Sequence, residues 1–519
     1  MTTVNRQSRQ VEYGDYQTPV DFAHLVCNKL REFYSLAPAT VIEPTMGTGN
    51  FIDSAMSSFN MAHAFYGIEI NPTYYANAQS RLSDQNNVTL YNADIFSFDF
   101  SKIKECIDPS DELLILGNPP WVTNSQLSTL NSNNVPSKGN FKGYSGLDAI
   151  TGKGNFDVAE YIILQLLSEF AKYKCTLAML CKTIVAKNII RDMNRYNFQI
   201  SSADMFVFNA TEIFNVNCDA ALFVVQLGKK RSFLCNVYDF HTNETIRQFG
   251  WENGLFYSNI CDRVNQIEGV SQFEWRQGVK HDCAKVMELS PIGNNSFRNN
   301  LGETVKLSVG EYVFPLFKSS DIKSYEICNS RKYVIIPQCQ VNAETSVIES
   351  KDNDVWQYLV SHENLLNARR SIIYKNAPKF SIFGIGDYSF TKYKVGISGF
   401  YKEPIFALIY SNYPVMLDDT CYFIGFNEIV DAIIVTALLN HPLCTSFLKS
   451  IAFLDSKRPY TKEVLQRIDI CKLTHCVNFD YIAQFAEKLG QGYSLKPEEY
   501  LIFKDKISHE DACQLKLFA

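Results

Sequence analysis

Residues 113–121 read Leu-Leu-Ile-Leu-Gly-Asn-Pro-Pro-Trp, an apolar run that closes on Gly117-Asn118-Pro119-Pro120-Trp121. A buried strand ending in a turn is the plain reading, because Asn and Pro are ordinary turn residues. The same residues can also carry chemistry. Two consecutive prolines fix φ and stiffen the loop, and the Asn118 side-chain oxygen and the Pro119 carbonyl offer two neighbouring acceptors. Trp121 adds a flat face on which a purine can stack. Acceptors aimed at both hydrogens of an exocyclic amine draw its delocalised lone pair out of the ring, which favours the transition state over the ground state.

Upstream, residues 41–51 read Val-Ile-Glu-Pro-Thr-Met-Gly-Thr-Gly-Asn-Phe, a short strand turning into a helix through Met56. Gly47 and Gly49 let the backbone pass close to a ligand at the strand end, where open α/β sheets bind cofactors. A second apolar strand, Ala64 to Ile68, ends at Glu69, roughly 20 residues further on, where Rossmann-like folds hold ribose hydroxyls. A third, Val88 to Tyr91, ends at Asn92-Ala93-Asp94-Ile95. An Asp there can accept from an adenine amino group while Ile95 covers the ring. Residues 14–19, Gly-Asp-Tyr-Gln-Thr-Pro, open a helix with apolar positions at Phe22, Val26 and Leu30. Thr18 before Pro19 reads as its N-cap.

In this order the segments resemble the motifs of class I S-adenosylmethionine-dependent DNA amino-methyltransferases, and of the γ class in particular, the TaqI-type N6-adenine enzymes. The resemblance continues through a helix over Phe156 to Phe170 and strands over Cys175 to Lys182, Ile200 to Phe208 and Cys218 to Leu227. It covers about the first 230 residues. It implies a Rossmann-like, seven-stranded α/β methyltransferase domain followed by a C-terminal α+β target-recognition domain. It also implies S-adenosyl-L-methionine as cofactor, held by Thr18, Glu43, Gly47, Gly49, Glu69, Ile70, Asp94, Ile95 and Asn118. The catalytic loop would be Asn118, Pro119, Pro120 and Trp121, with Trp121 and Phe214 stacking on a base extruded from the duplex. One departure is Trp121, where the family usually has Tyr or Phe. Indole keeps the face and lacks the phenolic hydroxyl.

The 519 residues exceed one typical core, so more than one domain is expected. The boundaries read as a catalytic domain over 1–235, a connection over 236–290 and a DNA target-recognition domain over 291–519. The apolar fraction of 46% is that of an ordinary globular chain, and no uninterrupted apolar stretch is long enough for a membrane span. No secretory signal is expected, since the start at Thr2-Thr3-Val4-Asn5-Arg6-Gln7 lacks an apolar core. The 15 cysteines are scattered, without a Cys-x-x-Cys pair. Reduced thiols in a cytoplasmic protein are the expectation, with neither disulfides nor a metal site. Residues 1–228 hold 16 Lys and Arg against 22 Asp and Glu, and the remainder is balanced at 33 against 33. Duplex binding depends on the phosphates contacted locally, so this net charge neither requires nor excludes DNA.

After Leu227-Gly228-Lys229-Lys230-Arg231 the motifs stop, and from about Lys306 the chain becomes aromatic and β-rich with interleaved basic residues. This half resembles, less specifically, the recognition domain of γ-class enzymes. Lys318, Arg369, Arg370, Lys392, Lys394, Lys457, Arg458 and Lys462 are the expected DNA contacts. Residues 122–155, with Asn124, Ser125, Asn131, Lys138, Lys142 and Lys153, form a polar stretch long enough to be either functional or a surface excursion.

Together these features lead to an expected site-specific transfer of methyl to adenine N6 in double-stranded DNA by base flipping, either in restriction–modification, where a separate restriction endonuclease would be the partner, or in epigenetic marking. N4-cytosine methylation is the nearest alternative, although Ser is more usual there at the position of Asn118. A protein glutamine methyltransferase shares the Asn-Pro-Pro-aromatic loop but lacks a large second domain. A non-enzymatic DNA-binding subunit fits poorly with the cofactor motifs, and no fused nuclease is expected.

Overall fold

The computed structural model describes residues 16–122, 157–193, 198–260, 264–293, 295–490 and 492–514. Of the polar stretch 122–155, only Val122 falls among them; Asn124, Ser125, Asn131, Lys138, Lys142 and Lys153 lie outside the described residues, as do Gly14, Asp15 and Phe156. The chain forms two compact units, Met1–Cys261 and Asp262–Ala519.

The first unit is built on one sheet. Its strands are β1 Thr40–Glu43, β2 Ala64–Glu69, β3 Val88–Asn92, β4 Glu112–Gly117, β5 Lys174–Lys182, β6 Ile200–Asn209, β7 Asp219–Leu227, β8 Leu234–Asp239, β9 Thr245–Glu252 and β10 Leu255–Tyr257. Their spatial order is β3-β2-β1-β4-β5-β7-β6-β8-β9-β10. The first five are mutually parallel, and β7 inserts antiparallel between β5 and β6. The seven-stranded core 3-2-1-4-5-7-6 is therefore extended by three strands. Leu113 to Leu116 of β4 are fully buried, because a parallel strand covered on both faces carries a continuous apolar run. The helix Val20–Tyr34 buries Phe22, Val26 and Leu30 at helical spacing. These join Val41, Phe51, Leu114, Leu180, Phe206 and Trp121 in one core.

Two expectations are corrected at this level. Thr18 does not cap the first helix: Pro19 occupies the cap position with no side-chain cap bond, while the Thr18 carbonyl accepts from Asn50 Nδ2 at 2.8 Å. Residues 236–290 are not a separate connection. Within them β8 to β10 complete the edge of the first sheet, with β8 pairing parallel to β6, whereas Arg276–Gln277 and Glu288–Gly293 belong to sheets of the second unit. Pairing across that distance depends on which edge is open, a non-local fact that period-2 alternation does not encode.

The second unit contains two sheets. One has the order Thr304–Lys306, Ser296–Asn299, Glu288–Gly293, Lys332–Ile335, Val313–Phe317, Met416–Leu417; the other runs Arg276–Gln277, Cys421–Phe426, Tyr393–Ser398, Phe406–Tyr410, Glu326–Ile327. The helix Ile429–Leu439 is apolar on nearly every face and buried accordingly. No single helix among the described residues is long and apolar enough to cross a membrane.

Candidate active site

The order of β1 and β4 makes the topological switch point of the sheet, and open α/β sheets place ligands outside the carboxyl ends of the strands there. A cleft lies at this place, lined by Gly47, Glu69, Ile70, Asp94, Ile95, Asn118 and Pro120 among others. An adjoining hollow is lined by Thr18, Glu43, Gly47 and Asn118. The strand-end residues expected from the sequence thus share one site. Gly49 stands apart from both linings, capping the helix Asn50–Ser58 in a left-handed conformation.

Local chemistry fixes each wall. Gly47 has φ +53°, a left-handed conformation that favours glycine, and a Cβ there would press on the Gln17 side-chain amide and displace it. The Gly47 N–H donates to Glu69 Oε2 at 2.8 Å and the Asn71 N–H to Glu69 Oε1 at 2.7 Å. That carboxylate is thereby held rigidly at the end of β2. Glu43 accepts from the Ile52 N–H at 3.1 Å. Burial pushes the Glu43 carboxyl well above its usual range, the Ile52 bond acts against this, and the Glu69 charge adds to the rise. Asn71 caps the helix that Pro72 opens, accepting from the Thr73 N–H at 2.9 Å. Asp94 accepts from the Phe96 N–H at 3.0 Å, which fixes the turn after β3.

The loop after β4 is gripped from several sides. Asn118 Nδ2 donates to the Tyr16 carbonyl at 2.9 Å. Its Oδ1 is buried without a hydrogen-bond partner, and so is Thr45 Oγ1, which borders both hollows. Pro119 is buried and does not line the cleft. Trp121 is only 4% exposed; its indole N–H donates to the Leu180 carbonyl at 3.2 Å. Phe214 meets it edge-on at 5.2 Å, in the attractive T-shaped geometry. Lys182 Nζ donates to the Trp121 carbonyl and to Asp157 Oδ2, each at 2.8 Å.

Several lining residues were not singled out in the sequence. Tyr16 and Gln17 directly precede the Thr-Pro pair, and Thr45 and Phe96 each lie within two residues of a predicted strand-end carboxylate. Tyr16, Gln17 and Thr45 lie inside the stretches 14–19 and 41–51 read above but were given no role there, and Phe96 lies one residue beyond Ile95. Val158 and Ile162 sit at helical spacing on Val158–Glu169 and read simply as core. Lys182 carried no signal beyond closing a strand.

In the second unit the expected DNA contacts divide. Lys394 is fully buried, with Nζ donating to the Ser389 and Thr391 carbonyls at 3.0 and 3.1 Å. It cannot reach a phosphate, and that assignment is corrected: its ammonium is covered on the face of the strand Tyr393–Ser398 by the Ser389 and Thr391 carbonyls and the Phe423 ring. Lys318 pairs with Glu288 at 2.6 Å, and Arg369 donates to the Leu366, Ser381 and His281 carbonyls. Lys462 pairs with Glu274 at 2.9 Å, and Arg458 donates to the Asp419 carbonyl at 3.0 Å. Arg370, Lys392 and Lys457 are exposed.

The strand order, the glycine-lined cleft at the switch point and the acidic strand ends fit a nucleoside-bearing cofactor. Two orphaned buried polar atoms, Asn118 Oδ1 and Thr45 Oγ1, point the same way. This is a class I S-adenosylmethionine-dependent methyltransferase. No family model matches the chain. It is 38% identical over 475 residues to the type II methyltransferase M.NspV of Nostoc sp., covering 90% of this chain and 98% of that one. The structure of the type IIL restriction-modification enzyme MmeI in complex with DNA shares the fold, with TM-score 0.50 and 13% identity over 98% of this chain and 77% of that one. The chain belongs to the type II methyltransferases, DNA methyltransferases of the restriction–modification type.

Proposed function

We propose that this chain methylates the exocyclic N6 of adenine in duplex DNA, taking the base out of the stack to do so. The observation that carries this reading is the buried, partnerless Asn118 Oδ1 on the cleft wall, with its amide oriented by the Tyr16 carbonyl. An acceptor held in reserve in a dry site is what an amine with a delocalised lone pair needs. Asn at this position favours adenine over the N4-cytosine alternative in the resemblance drawn above.

S-adenosylmethionine supplies a methyl group on a sulfonium, ready for direct displacement. The protein's part is positioning. Glu69, held by two backbone N–H groups, takes the ribose hydroxyls; Asp94 and Ile95 hold the adenine ring; Thr18, Glu43 and Gly47 surround the methionine end. Asn118 Oδ1 accepts a hydrogen of the target amine; the Pro119 carbonyl, expected as a second acceptor, is not on the cleft lining. Trp121 and Phe214, expected to stack on the base, line neither hollow; Trp121 is packed into the core and braces the loop from behind. The second unit reads the sequence, with Arg370, Lys392 and Lys457 as contacts to the duplex, and a separate endonuclease recognises the same site.

The test is to express the protein in a host without DNA modification and sequence its DNA for modified bases. N6-methyladenine confined to one recognition sequence, and absent with Asn118→Ala, supports the reading. Unmodified DNA, or N4-methylcytosine, overturns it.

A further inference from the structure

We infer that Lys182 is a positioning residue for methyl transfer, clamping the far end of the catalytic loop to the helix that forms the opposite cleft wall. The inference rests on the reading that this cleft methylates DNA.

The ladder between β4 and β5 ends at the Gly117 pair, so residues 118–122 lie outside the sheet's regular pairing. Their placement depends on individual bonds. At the near end, Asn118 is tied to Tyr16 at 2.9 Å. At the far end, the tip of β5 grips Trp121 twice, through the Leu180 carbonyl at the indole N–H and through Lys182 Nζ at the backbone carbonyl. The same ammonium pairs with Asp157, whose other oxygen accepts from the Ala159 N–H at 3.1 Å and so caps the helix Val158–Glu169. The Val158 N–H in turn donates to the Val122 carbonyl at 2.9 Å. Val122, Val158 and Ile162 all line the cleft. One side chain therefore couples the loop bearing the amine acceptor to the helix bordering the cofactor.

Asp157 is 8% exposed. Taking such a pair out of water costs about as much as its attraction returns, and an apolar replacement is often neutral for stability. Its contribution is geometric. Displacing reacting groups by about 1 Å costs roughly 10²-fold in rate. The bonds of Lys182 Nζ go to the Trp121 carbonyl and Asp157 and not to Asn118, so it acts through the loop.

The test compares Lys182→Met, which keeps the aliphatic stem without donors, with Lys182→Arg, which keeps charge and donors. Tritiated methyl from S-adenosylmethionine is counted on total unmodified genomic DNA, without regard to base, alongside cofactor affinity by calorimetry and the thermal unfolding midpoint. The expected result for Lys182→Met is kcat lower by roughly 10²-fold with cofactor affinity and its KM within about threefold of wild type, and recovery of about tenfold or more by Lys182→Arg. Wild-type kcat in a folded Lys182→Met, parallel loss of kcat and cofactor affinity, or equal impairment of both variants overturns the inference. Should Lys182→Met not fold, Asp157→Asn decides, since it keeps the helix cap and discards the charge: a drop in kcat of about tenfold at unchanged cofactor affinity supports the clamp, and unchanged kcat overturns it. N4-methylcytosine in the wild-type product contradicts the adenine reading alone and leaves this result standing. No transfer by the wild type overturns both.

Discussion

The Asn118 side-chain amide donates to the Tyr16 carbonyl at 2.9 Å, and its oxygen is left buried with no partner. A buried acceptor in that condition costs about 1–3 kcal/mol, a cost a folded chain ordinarily avoids by finding a donor. Tyr16 thus belongs to the site through its backbone, as the group that holds the nitrogen end of the amide and leaves the oxygen unpaired.

Asn118→Ala removes this acceptor and leaves the glycine loop and the strand-end carboxylates in place. Turnover is expected to fall by roughly 10²–10³, as for loss of one transition-state hydrogen bond, with cofactor affinity little changed. Steady-state methyl incorporation together with calorimetry checks both halves of the expectation.

Glu69→Ala is expected to weaken cofactor binding by about 1–3 kcal/mol, the size of a lost hydrogen-bonded charged acceptor. Because the carboxylate also orders the Gly47 and Asn71 N–H groups, Glu69→Gln, which keeps an acceptor, is expected to lose less. Calorimetric titration ranks the three proteins, and equal affinity in all of them would contradict the role.

Gly47→Ala places a methyl against the Gln17 amide in a left-handed backbone. The conformational term alone costs about 1–2 kcal/mol. Removing the collision with Gln17→Ala in the same chain is therefore expected to restore cofactor affinity only in part. Full recovery in the double variant would show that strain at this φ plays no role.

Most of the cleft was legible because its residues sit at strand ends. An apolar run that stops at an acidic residue or at Asn-Pro-Pro marks the carboxyl edge of a buried parallel strand, and Glu43, Glu69 and Asn118 follow that pattern; Asp94 lies two residues past the partly exposed edge strand Val88–Asn92. What was not legible is non-local. The extension of the sheet by Leu234–Asp239, Thr245–Glu252 and Leu255–Tyr257 depends on β6 presenting an open edge. Lys392 and Lys394 both read as DNA contacts in the sequence, yet Lys394 is enclosed because the Ser389 and Thr391 carbonyls and the Phe423 ring, 5.6 Å from its ammonium, cover it. Trp121 shows a face in the sequence and is 4% exposed in the fold.

Burial lowers the Lys394 amine from 10.5 to about 7. Between about pH 7 and 10.5 the unfolded chain binds a proton that the native chain lacks, so this group makes stability rise with pH across that window. The slope is at most about 1.4 kcal/mol per pH unit. Lys394→Met is expected to abolish this contribution and to be most stabilised, relative to wild type, near and below pH 7. Urea unfolding of both proteins at several pH values checks the difference, and parallel stability curves would contradict it.

The central claim is the identity of the methylated atom. Duplex DNA methylated by the purified protein with isotopically labelled S-adenosylmethionine can be digested to nucleosides and the labelled species identified by mass. N6-methyldeoxyadenosine as the sole labelled nucleoside is the predicted result; label in N4-methyldeoxycytidine would contradict the account.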